Sequence, residues 1–274
     1  MQFGFKVRVS YVVLRHPRES IERIRGRIDT RNDKRELRTL SYPRSERYAV
    51  VEDWEPVLHK AIEAPWPCQE SEHFGKEWDA TVSGLAAKGL RVGLASYRGW
   101  NDGDPAQAKA IWCLVAHLRP ATVVETGVAH GLTSRVILQS LRRNGNGHLW
   151  SVDLPAVDPA LHHEIGMAVP EDLRSRWTYV RGTSRRRLPE LVRKLQRVDL
   201  FIHDSLHTAR NTCFELDTVW PALPPGGVAV VDDIDRNLGF SRFTEQVTPE
   251  VWIATRHVIG SGLWATAVKD RPRP

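Results

Sequence analysis

The chain has 274 residues, of which 41% are hydrophobic and 26% charged, and its mean hydropathy of -0.38 is typical of a soluble globular protein. No run approaches the roughly 18 uninterrupted apolar residues that a membrane span needs, and charges within Met1–Arg8 argue against a signal peptide. The three cysteines, at positions 68, 113 and 213, are too widely spaced to suggest a disulfide framework or a cysteine-type zinc site. We therefore expect a soluble cytoplasmic protein with no membrane partner.

The formal net charge of +6 is unevenly distributed along the chain. Residues 1–50 contain 13 Lys and Arg against 6 Asp and Glu, whereas the remaining residues contain 26 against 27. A basic segment of this kind is able to meet nucleic acid, a phosphorylated substrate or an anionic membrane surface. Because this one also carries acidic residues and few aromatic side chains to stack on bases, we favour an ordinary solvated surface over a nucleic-acid partner.

The first hundred residues are charged and irregular, with helical patterns separated by turns. Apolar residues at helical spacing predict helices over Glu19–Ile28, Trp54–Ala64 and Phe74–Ala87. Pro65 ends the second of these patterns, and Gly89 ends the third. Residues 1–97 are accordingly predicted to form a mainly helical extension, which serves either as a cover that shapes the substrate site or as a dimerisation region.

Residues 98–274 contain short apolar runs, rich in β-branched residues, that alternate with helical stretches. The predicted strands are Thr122–Thr126, Leu149–Asp153, Thr178–Arg181, Leu200–His203, Val228–Val231, Trp252–Thr255 and Leu263–Val268. The predicted helices between them are Ser134–Arg143, Leu188–Lys194 and Ala209–Leu223. This alternation predicts an α/β fold with a doubly wound, mostly parallel seven-stranded sheet. The short link at Ile259–Gly262 predicts a hairpin at the sheet edge, so that the last strand is antiparallel.

A glycine-containing turn follows the first of these strands, within Glu125–Ser134. Gly127 and Gly131 allow a tight turn and the close approach of a ligand, and the following helix presents free N–H groups. Ala129 replaces the middle glycine of a GxGxxG motif, which argues against a nicotinamide dehydrogenase. The second strand ends in Asp153, where an acidic residue usually accepts hydrogen bonds from a ribose diol. Together the turn and the aspartate favour an adenosine-type ligand.

Three aspartates, Asp204, Asp232 and Asp233, follow the fourth and fifth predicted strands. If those strands are adjacent and parallel, the carboxylates meet at one edge of the sheet and repel one another unless a cation or protons compensate. Oxygen ligands of this kind suit Mg²⁺, Mn²⁺ or Ca²⁺, and His207 is placed to act as a general base. The alternative is helix capping, by Asp204 or Ser205 for the following helix and by one of the paired aspartates for the next segment.

Four motifs occur along the chain in the order Glu125-Thr-Gly-Val-Ala-His-Gly, Ser151-Val-Asp-Leu, Phe201-Ile-His-Asp-Ser-Leu-His-Thr and Pro225-Gly-Gly-Val-Ala-Val-Val-Asp-Asp. This series resembles the class I S-adenosylmethionine (SAM)-dependent methyltransferases. More narrowly, it resembles the bacterial metal-dependent branch that includes macrolide-sugar and cephalosporin-pathway O-methyltransferases. The resemblance covers about residues 98–270 and implies a Rossmann-like sheet, with SAM and a divalent cation such as Mg²⁺ as cofactors. It also implies a hydroxylated small-molecule acceptor (a sugar, a glycoside or another specialised metabolite), and it is compatible with a homodimer.

The resemblance further implies roles for individual residues. Those implied to contact SAM are Glu125, Gly127, Ala129, Gly131, Thr133, Ser134, Asp153, Leu154, Thr183 and His203. The implied metal ligands are Asp204, Asp232 and Asp233, and the implied catalytic residues are His207, as the base, and Asp204. Two departures stand out. Many relatives have an acidic residue near the adenine, where this chain reads Gly182-Thr-Ser, and they often have Asp-Gly-Asp-His-Ser, where it reads Asp204-Ser-Leu-His-Thr.

The predicted reaction is an in-line displacement, in which a nucleophilic oxygen attacks the methyl group of the SAM sulfonium. A divalent ion on the acceptor oxygens would lower their pKa, and His207 would remove the proton. Three alternatives stay open from the sequence. They are a metal-independent N- or carboxyl-methyltransferase, a methyltransferase that acts on nucleic acid, and a SAM-binding protein that no longer catalyses methyl transfer.

Overall fold

The computed structural model describes residues 16–40, 44–97 and 100–271. Its helices are α1 (Pro17–Arg38), α2 (Trp54–Ala61), α3 (Gln69–Ala86), α4 (Pro105–Leu118), α5 (Leu132–Asn144), α6 (Ser184–Leu195), α7 (Ala209–Val219) and α8 (Gly239–Val247). Its strands are β1 (Gly93–Tyr97), β2 (Trp100–Asp102), β3 (Thr122–Thr126), β4 (His148–Asp153), β5 (Trp177–Arg181), β6 (Leu200–His203), β7 (Val228–Val231), β8 (Val251–Arg256) and β9 (Leu263–Val268). Within these ranges, none of the helices combines the length and the apolar character that crossing a membrane would demand. The segment that argues against a signal peptide, Met1–Arg8, lies outside the described residues.

Seven strands form one sheet in the order β5-β4-β3-β6-β7-β9-β8. The pairs from β5 to β7 are parallel, whereas β9 is antiparallel to both β7 and β8. The predicted α/β fold, with its mostly parallel sheet and its antiparallel last strand, is therefore confirmed. Since β9 lies between β7 and β8, strand β8 points in the same direction as β7, and its carboxyl end lies at the same edge of the sheet.

The central strands are apolar because helices cover both faces of the sheet. Every residue of β6 and β7 is buried. One core, under α2, α4 and α5, includes Leu58, Ile111 and Ile137, and the other, under α6, α7 and α8, includes Leu216 and Phe240. Helix α2, which belongs to the predicted extension, thus packs directly on the sheet. The predicted boundary after residue 97 falls in the link between β1 and β2, at residues 98 and 99, outside the described residues.

Helix α4 and the end of helix α7 depart from the prediction for local reasons. Helix α4 is absent from the predicted set, yet it has clear start signals: Pro105 occupies its first turn, and the Asp104 side chain accepts hydrogen bonds from two backbone N–H groups there. The helix predicted over 209–223 ends instead at Val219. A short 3₁₀ turn follows from Trp220, since Pro221 has no N–H to continue the α-helical bonding.

Helix α1 lies across the carboxyl edge of the sheet. At one end the Arg23 guanidinium donates a hydrogen bond to the carbonyl oxygen of Pro155, in the segment after β4. At the other end, the Asp33 carboxylate accepts a hydrogen bond of 3.0 Å from the N–H of Ala209, the first residue of α7. The isoleucines whose spacing predicts this helix are half exposed, at positions 21, 24 and 28. Contacts with the sheet edge therefore hold α1 in place through polar groups.

Candidate functional site

The turn after β3 is shaped by close backbone contacts. Gly127 and Gly131 have φ angles of +85° and +84°, a region that other residues rarely adopt. A β-carbon at Gly127 would overlap the carbonyl oxygen of Asp204, and one at Gly131 would lie 2.8 Å from the α-carbon of Gly166. Ala129, between the two, also has a positive φ, of 48°. The turn therefore leads β3 into α5 along a path that packs tightly against the end of β6.

A buried carboxylate links the strands and the helix that flank this turn. Glu125, which is 1% exposed, accepts hydrogen bonds of 2.6 Å each from the hydroxyl groups of Ser134 and Ser151. These bonds join β3 to α5 and β4. Burial raises the pKa of Glu125 to about 7 because the charged form loses its hydration. Of the predicted SAM contacts here, Ser134 is thus bonded to Glu125, and Thr133 beside it is partly buried.

The ends of β4 and β5 lie next to each other under α1. Burial raises the pKa of Asp153 to about 6, and the positive charge of Arg23, on α1, acts in the opposite direction. Leu154 is partly buried beside it. After β5, Thr183 precedes α6 but makes no side-chain capping bond, and its hydroxyl oxygen is buried with no partner among the described residues. A buried hydroxyl without a partner is unusual in a folded protein, and here it fits a polar atom of a bound ligand.

Three carboxylates surround one imidazole at the ends of β6 and β7. The Nε2 atom of His207 lies 3.6 Å from Asp204 Oδ1, 3.9 Å from Asp232 Oδ2 and 3.7 Å from Asp233 Oδ2. Its Nδ1 atom is buried and has no hydrogen-bond partner among the described residues. Adjacent parallel strands therefore bring together the four residues for which the sequence predicts metal binding and catalysis.

The capping alternative does not match the geometry. The Thr208 hydroxyl, not Asp204, accepts the hydrogen bond from the backbone N–H of Asn211 that caps α7. Ser205 donates its hydroxyl proton to Glu215 instead. Asp233 precedes a 3₁₀ turn in a left-handed conformation, and its side chain makes no capping bond. The aspartates are thus not engaged in ending or starting helices.

Three further side chains, those of His257, Gln107 and Arg236, reach this acid cluster and are absent from the sequence prediction. Arg236 Nε lies 2.9 Å from Asp233 Oδ2. His257 Nε2 lies 2.9 Å from Asp232 Oδ1, and the amide nitrogen of Gln107 donates to the same oxygen over 2.9 Å. On its other side, His257 Nδ1 lies 3.6 Å from Asp104 Oδ2. His257 directly follows β8, so its position at a strand end is visible in the sequence. Only the pairing of β9 with β7 shows that this strand end faces the aspartates.

The carboxylates of the cluster differ in their affinity for protons. Desolvation, reinforced by the charges of Asp232 and Asp233, raises the pKa of Asp204 well above its ordinary value. Burial and the charge of Asp232 raise the pKa of Asp233 to about 7. Burial would also raise the pKa of Asp232, but the hydrogen bond and charge of His257 hold it below its ordinary range. The raised pKa values of Asp204 and Asp233 reflect repulsion between neighbouring carboxylates, which a bound cation would relieve.

The two histidines of the cluster shift in opposite directions. Burial lowers the pKa of His207 to about 4. Burial has the same tendency at His257, but its contacts with Asp104 and Asp232 outweigh it and raise the pKa to about 10. His257 is therefore the cationic partner of Asp232, whereas His207 is a neutral imidazole among carboxylates.

The donor set fits a divalent cation. Asp204, His207 and Asp232 form one group of potential ligands, and Asp232, Asp233 and His257 form a second that shares an aspartate with it. Within each group the ligand atoms all lie within 4.8 Å of one another. Carboxylate oxygens, with an imidazole beside them, are ligands for a hard divalent ion such as Mg²⁺ or Mn²⁺.

His203, a predicted SAM contact, lies beside His207, with the ring centroids 5.8 Å apart. It is fully buried, with Nδ1 2.6 Å from Glu215 Oε2 and Nε2 3.1 Å from the hydroxyl of Thr212. Both ring nitrogens are thus occupied within the protein. The side chain therefore joins the end of β6 to α7 through these bonds, and its contact with SAM stays a prediction.

The chain from β3 to the acid cluster, residues 124–234, matches the family model of a methyltransferase domain. Residues 124–234 are therefore a methyltransferase domain. This methyltransferase domain contains the glycine turn and the aspartates Asp153, Asp204, Asp232 and Asp233. The predicted SAM-dependent methyltransferase is thereby confirmed as the enzyme class, whereas the narrower metal-dependent branch stays a prediction.

Solved methyltransferase structures share the fold. An O-methyltransferase from Bacillus cereus, in complex with SAH, is 16% identical, with a TM-score of 0.53 over 79% of this chain and 98% of the other. The O-methyltransferase TomG from Streptomyces achromogenes, involved in tomaymycin synthesis and solved with SAM, is 15% identical, with a TM-score of 0.53 over 70% of this chain and 89% of the other. No curated protein matches the methyltransferase at a significant level.

Proposed function

We propose that this methyltransferase transfers the methyl group of SAM to a hydroxyl oxygen of a small molecule, with the help of a divalent cation held by Asp204, Asp232 and Asp233. The observation that carries the proposal is the convergence of these carboxylates around His207, beside the glycine turn. Oxygen as the acceptor atom is also in keeping with the two structural neighbours, both O-methyltransferases. When bound, a divalent cation would lower the pKa of the acceptor hydroxyl and fix its orientation.

The cofactor end of the site is assigned from the strand ends. The turn at Gly127 packs its backbone against that of Asp204, with no space for a side chain, and α5 begins directly after the turn and presents its free N–H groups. Asp153 would accept hydrogen bonds from the ribose hydroxyls of SAM. The unpartnered hydroxyl of Thr183, after β5, would contact the adenine end. Helix α1 lies across this edge and would limit the access of water.

The chemical step needs a proton acceptor beside the nucleophile. As the new O–CH₃ bond forms, the S–CH₃ bond breaks in line with it, and its electrons stay on the sulfur of the demethylated cofactor. The proton of the acceptor hydroxyl passes to the imidazole of His207, which lies at the centre of the carboxylates. Gln107 and His257 hold Asp232 in place through its Oδ1 atom.

The acceptor that best suits this arrangement carries neighbouring hydroxyl groups, as in a sugar, a glycoside or a catechol. Two vicinal oxygens would occupy adjacent positions on a cation that the aspartates hold from the other side. Participation in specialised metabolism is in keeping with the role of the Streptomyces neighbour in tomaymycin synthesis.

Calorimetric titration of SAM and of its demethylated product, with Mg²⁺ and with EDTA, tests the proposal together with turnover of a polyol and catechol mixture. We expect micromolar binding of SAM, and turnover that EDTA removes and added Mg²⁺ restores. Asp232→Asn should abolish turnover and leave SAM affinity within about twofold, because Asp232 faces the acceptor. Asp217→Asn, an exposed change on α7, is the matched control.

Other results would redirect the assignment. Turnover of this mixture that EDTA does not affect would contradict the metal and indicate a metal-independent O-methyltransferase. Binding of SAM without turnover of any acceptor would indicate a non-catalytic SAM-binding protein. Failure to bind SAM would contradict the role of the glycine turn and of Asp153.

A further inference from the structure

A second group of metal-ligating side chains lies away from the carboxyl edge of the sheet. His59 is near the end of α2, Cys68 immediately precedes α3, and His117 is in the last turn of α4. Helix α4 also contains Gln107, which contacts Asp232. At a rise of about 1.5 Å per residue, the ten residues from Gln107 to His117 span roughly 15 Å. The group is therefore separate from the acid cluster.

The three side chains point at one another. Their ligand atoms, one from each residue, all lie within 4.8 Å of one another. The Sγ atom of Cys68 is 3.0 Å from Nε2 of His117, and the two imidazole rings are nearly perpendicular, with centroids 5.2 Å apart. In a tetrahedral zinc site with bonds of about 2.3 Å to sulfur and 2.0 Å to nitrogen, such atoms would be roughly 3.5 Å apart. Small side-chain adjustments would therefore produce that geometry.

The state of His59 is the independent observation that points to a ligand. Its Nδ1 atom lies 2.7 Å from the carbonyl oxygen of Glu55, so this nitrogen carries the proton and donates. The Nε2 atom consequently holds a lone pair. It is buried in a fully buried side chain and has no partner among the described residues. Metal-binding histidines commonly donate their other N–H to a backbone carbonyl, which fixes the ring in this way.

We infer that His59, Cys68 and His117 form a zinc site that joins the N-terminal helices to the methyltransferase domain. One thiolate and two imidazoles are a ligand set that Zn²⁺ prefers and that Mg²⁺ does not. The fourth position is left to a water molecule. Since the ligands come from α2, from the start of α3 and from the end of α4, the ion would stabilise the packing of these helices. The inference does not rest on the proposed reaction.

The three residues are too widely spaced along the chain for the group to be recognised from the sequence alone. His59 and Cys68 are nine positions apart in the sequence, and Cys68 and His117 are 49 positions apart. The spacing of the cysteines alone suggests no zinc site, because only one thiol contributes and the second histidine comes from a distant helix. The packing of α3 against α4 brings them together.

Substitution with Co²⁺ tests the site in the full-length protein. Co²⁺ bound to a thiolate has a near-ultraviolet charge-transfer band that oxygen and nitrogen ligands do not produce. Co²⁺ bound in the acid cluster would therefore not contribute to this band. We expect the band in the wild type, with saturation at about one equivalent, and its loss after addition of Zn²⁺. Cys68→Ser should lose it, whereas the control Cys213→Ser, which removes a thiol from α7, should keep it.

Thermal unfolding provides a second measurement. Zn²⁺ should raise the Tm of the wild type and of Cys213→Ser, and it should leave that of Cys68→Ser unchanged, because an ion that binds only the folded state stabilises it. Should Cys68→Ser fail to fold, His117→Gln, at a partly exposed position, serves instead and should weaken Co²⁺ binding at least tenfold. Absence of the band in the wild type would overturn the site. A band that is unchanged in both Cys68→Ser and His117→Gln would also overturn it.

Discussion

Gly127 and Asp204 meet through their backbones, because the turn after β3 packs against the chain immediately after β6 with no room for a β-carbon. This contact joins the two halves of the candidate site: the glycine turn on the cofactor side and the first aspartate of the acid cluster. A substitution at either residue would therefore disturb both the glycine turn and the acid cluster.

Gly127→Ala should weaken SAM binding at least tenfold and lower the free energy of unfolding by about 1–3 kcal/mol, since the new methyl group meets backbone and the φ of +85° is strained for alanine. Calorimetry and chemical denaturation measure the two effects. Gly84→Ala, in helix α3, is the matched control. A β-carbon added there would have no atom within 4 Å apart from its own helix backbone, and alanine should raise the free energy of unfolding by up to about 1 kcal/mol. Unchanged SAM affinity in Gly127→Ala would show that the turn does not hold the cofactor.

Asp153→Ala should weaken SAM binding by about 10- to 100-fold, the equivalent of roughly 1.5–3 kcal/mol for lost hydrogen bonds to a carboxylate. Folding should be little affected, because burial already disfavours the charged side chain and raises its pKa to about 6. Calorimetric titration of SAM checks the change, with the exposed Asp217→Ala as control. Wild-type affinity in Asp153→Ala would remove this residue from the cofactor site.

Glu215→Gln should destabilise the fold by about 3–5 kcal/mol at pH 7, as breaking a buried ion pair does. The Glu215 carboxylate accepts hydrogen bonds from Thr126, Ser205 and Asn211 and lies 2.6 Å from the ring of His203. Burial would raise its pKa, but the charge and hydrogen bond of His203 lower it to about 2. The contribution to stability is therefore complete above the ordinary pKa of about 4.5 and is lost as the pH falls towards 2.

Urea unfolding at a series of pH values measures this effect. The difference between wild type and Glu215→Gln should shrink steadily below about pH 4.5, because the wild-type carboxylate takes up its proton on unfolding. A difference that stays constant down to pH 2 would contradict an ionised Glu215 in the native state.

Glu125→Gln should have the opposite pH dependence. Because burial raises the pKa of Glu125 to about 7, the folded protein binds this proton more tightly than the unfolded chain, and stability falls as the pH rises from about 4.5 to 7. Glutamine carries no charge, so the variant should match the wild type near pH 4 and exceed it by about 2–3 kcal/mol at pH 8. Denaturant titrations at both pH values provide the comparison, and a variant less stable than the wild type at pH 8 would contradict the assignment.

Much of the site follows from one rule that can be applied to the sequence. The carboxyl ends of adjacent parallel strands share an edge, so residues that end or directly follow apolar strands, such as Asp153, Asp204 and Asp232, are expected to lie together there. The same rule includes His203, the last residue of β6, but successive side chains of a strand alternate in direction. Its ring is bonded to Glu215 and Thr212 and packs against the ring of His207.

The sequence by itself determined the order of strands and helices, the family and the aspartates of the acid cluster, because apolar periodicity and strand-end positions are local properties of the chain. Only the tertiary structure decided what surrounds them. His257 reaches Asp232 because β9 inserts antiparallel beside β7, and His117 reaches Cys68 because α3 packs on α4. Such contacts join residues far apart in the chain, and they depend on how faces pack, which the spacing of residues along one element does not specify.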